Sequence, residues 1–254
     1  MSRLYRIEEG HPVYALWLYQ WKGVDPSSGL NYYELGESYF KPDGTYIDGI
    51  ADNPDVITVD GGYYTTARYS ARRDYSGSPI PKVFGGLSSG LQIGRFAFTV
   101  NLYYQLGGKG YDSGYASLMY GGLSTLPMSN RHVDAAKSWT ADNSSREVAV
   151  LTTYYGRLGS STYQENVSAN QSTRWLTSTN MLEINNATLS YAIPDKWCDT
   201  IGAESLELFV SADHLCLLNA RRGYYSNYSF SNYTANFSVY KPARTIMAGI
   251  NLTL

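Results

Sequence analysis

The sequence predicts an all-β, antiparallel transmembrane β-barrel, and three observations carry that prediction. Apolar residues alternate with polar ones at a period of two over stretches of about ten residues, the length that crosses a bilayer as a tilted strand. The face opposite the apolar one is small and polar, built from Ser, Thr, Asn, Gln and Gly, where a soluble sandwich usually places Lys and Glu. Short connections alternate with long polar ones, the arrangement of outer-membrane barrels. Composition agrees: of 254 residues, 43% are hydrophobic, and Tyr (25) far outnumbers Phe (7) and Trp (5). Tyr has an apolar body and a wet tip, and so suits a membrane boundary.

Taken along the chain, Val13–Trp21 and Asn31–Leu35 read as weak strands, followed by a long polar connection, Lys41–Ser78. Val83, Gly85, Leu87, Ser89, Leu91 and Ile93 then alternate with Phe84, Gly86, Ser88, Gly90 and Gln92. The dipeptide Gly94-Arg95 reads as a tight hairpin turn into the clearest strand, where Phe96, Phe98, Val100, Leu102 and Tyr104 oppose Ala97, Thr99, Asn101, Tyr103 and Gln105. A second long connection, Gly107–Ser145, precedes a weak strand at Val148–Tyr155. The Leu182–Tyr191 strand changes phase: Leu182 and Ile184 share one parity, Ala187, Leu189 and Tyr191 the other. A bulge at Asn185-Asn186 restores one apolar face. After the moderate connection Pro194–Ser205, Leu206, Leu208, Val210 and Ala212 oppose Glu207, Phe209, Ser211 and Asp213. In the last strand Ile246, Ala248, Ile250, Leu252 and Leu254 oppose Met247, Gly249, Asn251 and Thr253.

Several functions lack their signature. The net charge of −2 and the absence of a Lys/Arg cluster leave no electrostatic footprint for nucleic acid. No metal or cofactor is expected: His11, His132 and His214 stand apart, none at ligand spacing from another His or Cys. No catalytic set is expected either, and the His132/Asp134 loop with Lys137 and Trp139 reads as an ordinary polar loop. Asp52-Asn53-Pro54-Asp55 and Asp60-Gly61-Gly62 do not follow the helical calcium loop and read as turns. Cys198 and Cys216 are too few for a disulfide framework; they are free small hydrophobes unless adjacent strands bring them opposite each other. The Asn-x-Ser/Thr triplets at Asn143, Asn166, Asn186, Asn227, Asn232, Asn236 and Asn251 read as chance in an Asn- and Ser-rich chain, and Asn251 falls inside a strand. No apolar run reaches the roughly 20 residues of a membrane helix, and no secretory signal stands at the start.

Ordered fragments along the chain resemble the C-terminal region of SusC/RagA-type TonB-dependent transporters. They are Glu9-Gly10-His11-Pro12-Val13 with Trp21-Lys22-Gly23-Val24-Asp25-Pro26-Ser27-Ser28-Gly29-Leu30; then Ser78-Pro79-Ile80-Pro81-Lys82-Val83-Phe84-Gly85-Gly86 and Tyr104-Gln105-Leu106-Gly107-Gly108-Lys109, with Tyr111-Asp112-Ser113-Gly114 after it. Leu182 to Pro194, Leu206 to Leu215 and Tyr240-Lys241-Pro242-Ala243-Arg244-Thr245 with Gly249 complete the series. Asp213-His214 stands where the family usually has Glu-Asn.

The resemblance implies a barrel of about 22 strands, of which residues 1–254 would be the C-terminal part, with the N-terminal plug and its TonB contact absent from this sequence. It implies nutrient import (oligosaccharide or peptide) across the bacterial outer membrane and no enzymatic activity. The implied partners are a SusD-like lid lipoprotein, the TonB complex acting through the plug, the barrel-assembly machinery and outer-membrane lipid. The long segments Lys41–Ser78 and Gly107–Ser145 become candidate contacts for lid or substrate. Gly249, Leu252 and Leu254 match the assembly signal of a C-terminal strand, although Leu254 replaces the usual terminal aromatic and Met247 its polar first position. Two other readings stay open: a complete small porin-like barrel, and a soluble carbohydrate-binding β-sandwich.

Overall fold

The computed structural model describes residues 4–119, 130–143, 147–150, 171–221, 224–225 and 242–254. The chain forms two compact units, each built from more than one stretch of sequence. One contains residues up to Ser78 together with Tyr111–Leu176; the other contains Pro79–Gly110, Thr177–Asn232 and Ser238–Leu254.

In the first unit, β1 (Trp17–Tyr19) fills part of the expected Val13–Trp21 strand, β2 (Trp21–Val24) begins at its last residue and runs beyond it, and β3 (Asn31–Tyr33) lies within Asn31–Leu35. The segment Lys41–Ser78 is far from a bare connection. It holds β4 (Val56–Val59), β5 (Gly62–Thr65) and β6 (Arg73–Tyr75). Strands β2, β3, β5 and β4 form a four-stranded antiparallel sheet, while β6 pairs with β1. Asp60 and Gly61, expected as a turn, join β4 to β5 with φ of 47° and 81°, the backbone a two-residue type I′ hairpin turn requires. This long segment folds because its Ile47, Ile50, Val56 and Tyr63 pack with Leu35 and Tyr39, which precede it in the chain.

The Gly107–Ser145 segment likewise carries structure. It contains β9 (Lys109–Tyr111), the short helix α1 (Ser113–Leu118) and a 3-10 turn at Val133–Lys137. Asp112 caps α1, its carboxylate accepting from the Tyr115 N–H at 2.8 Å. Ala116, Met119, Ala135, Val148 and Trp175 bury together here. Val148–Val150 is not strand, and the rest of the expected Val148–Tyr155 element lies outside the described residues.

The Asp25–Leu30 loop between β2 and β3 shows why its motif has that composition. One Asp25 oxygen accepts from the Ser27 N–H at 3.0 Å, and the carboxylate accepts from the Ser27 and Ser28 hydroxyls. Burial pushes the Asp25 carboxyl up, but these bonds outweigh it and hold it below the ordinary value. Gly29 sits at φ +74°, and a Cβ there would lie 2.5 Å from the Trp139 ring, so glycine is required twice over.

The second unit contains a five-stranded antiparallel sheet in the order β13-β12-β11-β8-β7. Its strands are β7 (Val83–Ile93), β8 (Phe96–Leu106), β11 (Met181–Ala192), β12 (Ser205–Asn219) and β13 (Thr245–Thr253). Between them in the chain comes a short strand, β10 (Leu176–Ser178). Gly94 takes φ +59° at the first central position of the β7–β8 turn, where a II′ hairpin calls for glycine. The Pro194–Ser205 connection holds a helix, α2 (Asp195–Ile201), which starts after Pro194 and ends at Gly202 with φ 71°. Cys198 is buried on that helix and Cys216 lies on β12; both are free thiols.

Candidate functional site: a two-faced sheet with a polar cleft

The register of the five strands sorts their side chains as the alternation predicts. Leu87 pairs with Leu102, Val100 with Ala187, Leu189 with Val210, and Val210 with Ala248, all on one face. That face is apolar and open. Leu87 is 57% exposed, Leu91 56%, Val210 50% and Ile250 66%. An apolar surface continuous across five strands is far larger than a water-soluble monomer tolerates, and it is what lipid solvates. Among the described residues no helix is long and apolar enough to cross a membrane.

The opposite face carries Ser88, Thr99, Asn101, Asn186, Thr188, Ser190, Ser211 and Asn251 in cross-strand register. These groups satisfy one another. The Asn186 amide donates to Ser211 at 3.0 Å and to Asp213 at 2.7 Å, Thr188 and Ser211 share a bond of 2.9 Å, and Ser88 donates to Asn101 at 2.6 Å. Phe84, Phe209 and Met247 interrupt the pattern on this side.

The expected bulge falls at Asn185, an extra residue of β11 opposite none in β8, since Ile184 pairs with Leu102 and Asn186 with Asn101. A second bulge, not legible in the alternation, follows in β12: His214 and Leu215 stand opposite the single residue Asn185. His214 takes φ +49° there, an uncommon conformation for a residue with a Cβ. Neighbours in a strand normally point to opposite faces, but after this bulge Asp213 and His214 both reach the same side. They line a cleft of about 800 Å³ with Tyr103, Glu183, Asn185 and Tyr225.

Glu183 is the buried centre of that cleft, with only 4% of its surface exposed. One oxygen meets the His214 Nδ1 at 2.9 Å, and the other accepts from the Tyr225 hydroxyl at 3.1 Å. A buried carboxylate needs such partners, because its desolvation cost is otherwise unmet. Sequence reasoning passed over Glu183 and His214 as a pair. They lie 31 residues apart, and the one available signal was Asp213-His214 departing from the pattern the chain resembles. Among the described residues no group of His, Cys, Asp and Glu could hold a metal.

The residues matched to an assembly signal do not form one site. Gly249 lies on the polar face opposite Phe209, whose ring crosses it: a Cβ on Gly249 would meet that ring at 2.5 and 2.7 Å. Leu252 lies on the apolar face opposite Leu206, and Leu254, 85% exposed, follows the end of β13.

No protein-family model matches the chain, and no curated protein matches it. Solved structures do. A chain of the RagAB peptide transporter superposes with a TM-score of 0.65 at 17% identity, over 96% of this chain and 23% of that one. The RagAB peptide importer in its "open-open" state gives 0.63 at 16% identity, over 96% and 23%. Its "closed-closed" state gives 0.62 at 16% identity, over 94% and 23%. The chain thus spans about a quarter of the length of the chains it matches. The antiparallel all-β fold expected from the SusC/RagA-type resemblance is the fold this chain has, and it shares that fold with the matched stretch of the RagAB importer chains.

Proposed function

We propose that this chain is part of the barrel wall of a SusC/RagA-type TonB-dependent importer in the bacterial outer membrane. The observation that carries the reading is the five-stranded sheet whose apolar face is left open to its surroundings while its polar face is internally hydrogen-bonded. A wall of this kind separates lipid from a wet lumen. The work is energised passage of a nutrient with no bond made or broken. A SusD-like lipoprotein caps the outer mouth in this reading, and TonB acts through a plug domain. The neighbours are peptide importers by description, which favours a peptide over an oligosaccharide as cargo. All of residues 1–254 belong to the barrel and its connections, and Gly249, Leu252 and Leu254 serve barrel assembly.

The test is an antibody against about fifteen C-terminal residues, applied to the outer-membrane fraction of the native organism. A membrane band several times heavier than 28.3 kDa supports the reading. A membrane band at that mass would instead mean a small independent barrel, and a soluble band would leave the binding sandwich in front.

A further inference from the structure

The five strands of the sheet contain no Lys or Arg at all. Their acidic residues are Glu183, Glu207 and Asp213, and the register places all three on the polar face. Basic side chains of this unit occur only outside these strands; Arg95, in the β7–β8 turn, lies 3.6 Å from Asp195 of α2. Apart from His214, which is held against Glu183, the titratable side chains these strands place on the polar face are therefore all acidic. Glu207 and Asp213 are six positions apart on β12, about 20 Å at strand rise, so the negative field extends along the face.

The cleft concentrates this property. Glu183 is held by His214 and Tyr225. Asp213 accepts from Asn186 through one oxygen, and its other oxygen has no partner among the described residues. Tyr103, Tyr225, Asn185, Pro242, Ala243 and Thr245 complete the lining, and among the described residues that line it His214 is the one base and there is no Lys or Arg. A half-buried carboxylate with a free oxygen beside aromatic faces is matched by a primary ammonium or guanidinium group, through a charge-assisted hydrogen bond and cation–π contact. An anionic ligand would meet repulsion along the whole face.

We propose that the Glu183–Asp213 cleft is a subsite for the cationic group of the cargo, so that the importer selects amine- or guanidine-bearing substrates over acidic ones. This rests on the import reading above. The experiment uses the whole transporter in its own outer membrane and three labelled hexapeptides of equal length, one Lys-rich, one Gln-rich and one Glu-rich. The expected order of uptake is Lys-rich, then Gln-rich, then Glu-rich. Asp213→Asn, which keeps the Asn186 contact and leaves the Glu183–His214 pair intact, lowers Lys-peptide affinity by about tenfold and leaves the Gln-peptide unchanged. Equal uptake of the Lys-rich and Gln-rich peptides, or an equal loss of both in Asp213→Asn, overturns the subsite while import stands. A correctly assembled protein that admits none of the three peptides overturns the peptide-import reading, and the subsite with it.

Discussion

Val210→Arg separates a lipid-facing sheet from a water-facing one by magnitude alone. Val210 pairs with Leu189 on one side and Ala248 on the other. It lies one residue from the midpoint of the β12–β13 ladder, which runs from Ser205↔Thr253 to Asp213↔Thr245. In water a half-exposed strand position accepts Arg within about 0.5 kcal/mol. Near the bilayer midplane the same change costs about 2–4 kcal/mol, a shift of roughly 30- to 1000-fold in the folding equilibrium. The counterpart is Thr99→Arg: Thr99 is exposed on the polar face, mid-strand, between Gly90 and Thr188, and should change stability by about 0.5 kcal/mol or less. The assay is urea titration of the complete transporter folded into vesicles, read by its resistance to unfolding in detergent gels. A Val210→Arg cost no larger than that of Thr99→Arg would refute the assignment of faces.

Three further outcomes follow from the same geometry. Gly249→Ala forces the Phe209 ring off its seat at a cost of about 1–3 kcal/mol, and adding Phe209→Leu restores stability. A failure of that rescue, with assembly slowed, would assign Gly249 to the assembly signal alone. Leu254→Phe, which restores a terminal aromatic, should speed the appearance of folded protein in the outer membrane without altering its stability; an unchanged rate removes Leu254 from the signal. The Asp25 carboxyl, held below its ordinary value, contributes stability that is complete above the unfolded carboxylate range and is lost as pH falls through the lowered value. The protection factors at Ser27 and Gly29, exchange rates corrected for their intrinsic pH dependence, should therefore fall on acidification in the native protein but stay flat with pH in Asp25→Asn, and a matching acid response in the variant would contradict this.

What the sequence determined by itself is the part of the fold written in a period of two. The β7–β8 hairpin, the apolar face of β12 and β13, and the bulge at Asn185 were legible because a strand's faces follow from parity, and an apolar phase change demands an extra residue. The Asp60-Gly61 and Gly94-Arg95 turns were legible for an equally local reason, the backbone angles those residues permit. The segments expected as long connections read as polar because their packing residues, among them Ile50, Tyr63, Ala116 and Ala135, follow no period; only tertiary contact shows that they pack. The cleft was hidden more deeply. Its second bulge sits where β12 stops alternating, at Asp213-His214-Leu215-Cys216, and parity loses meaning there. Glu183 and His214 become partners only when β11 and β12 pair in that shifted register, a meeting of distant residues that no local pattern encodes.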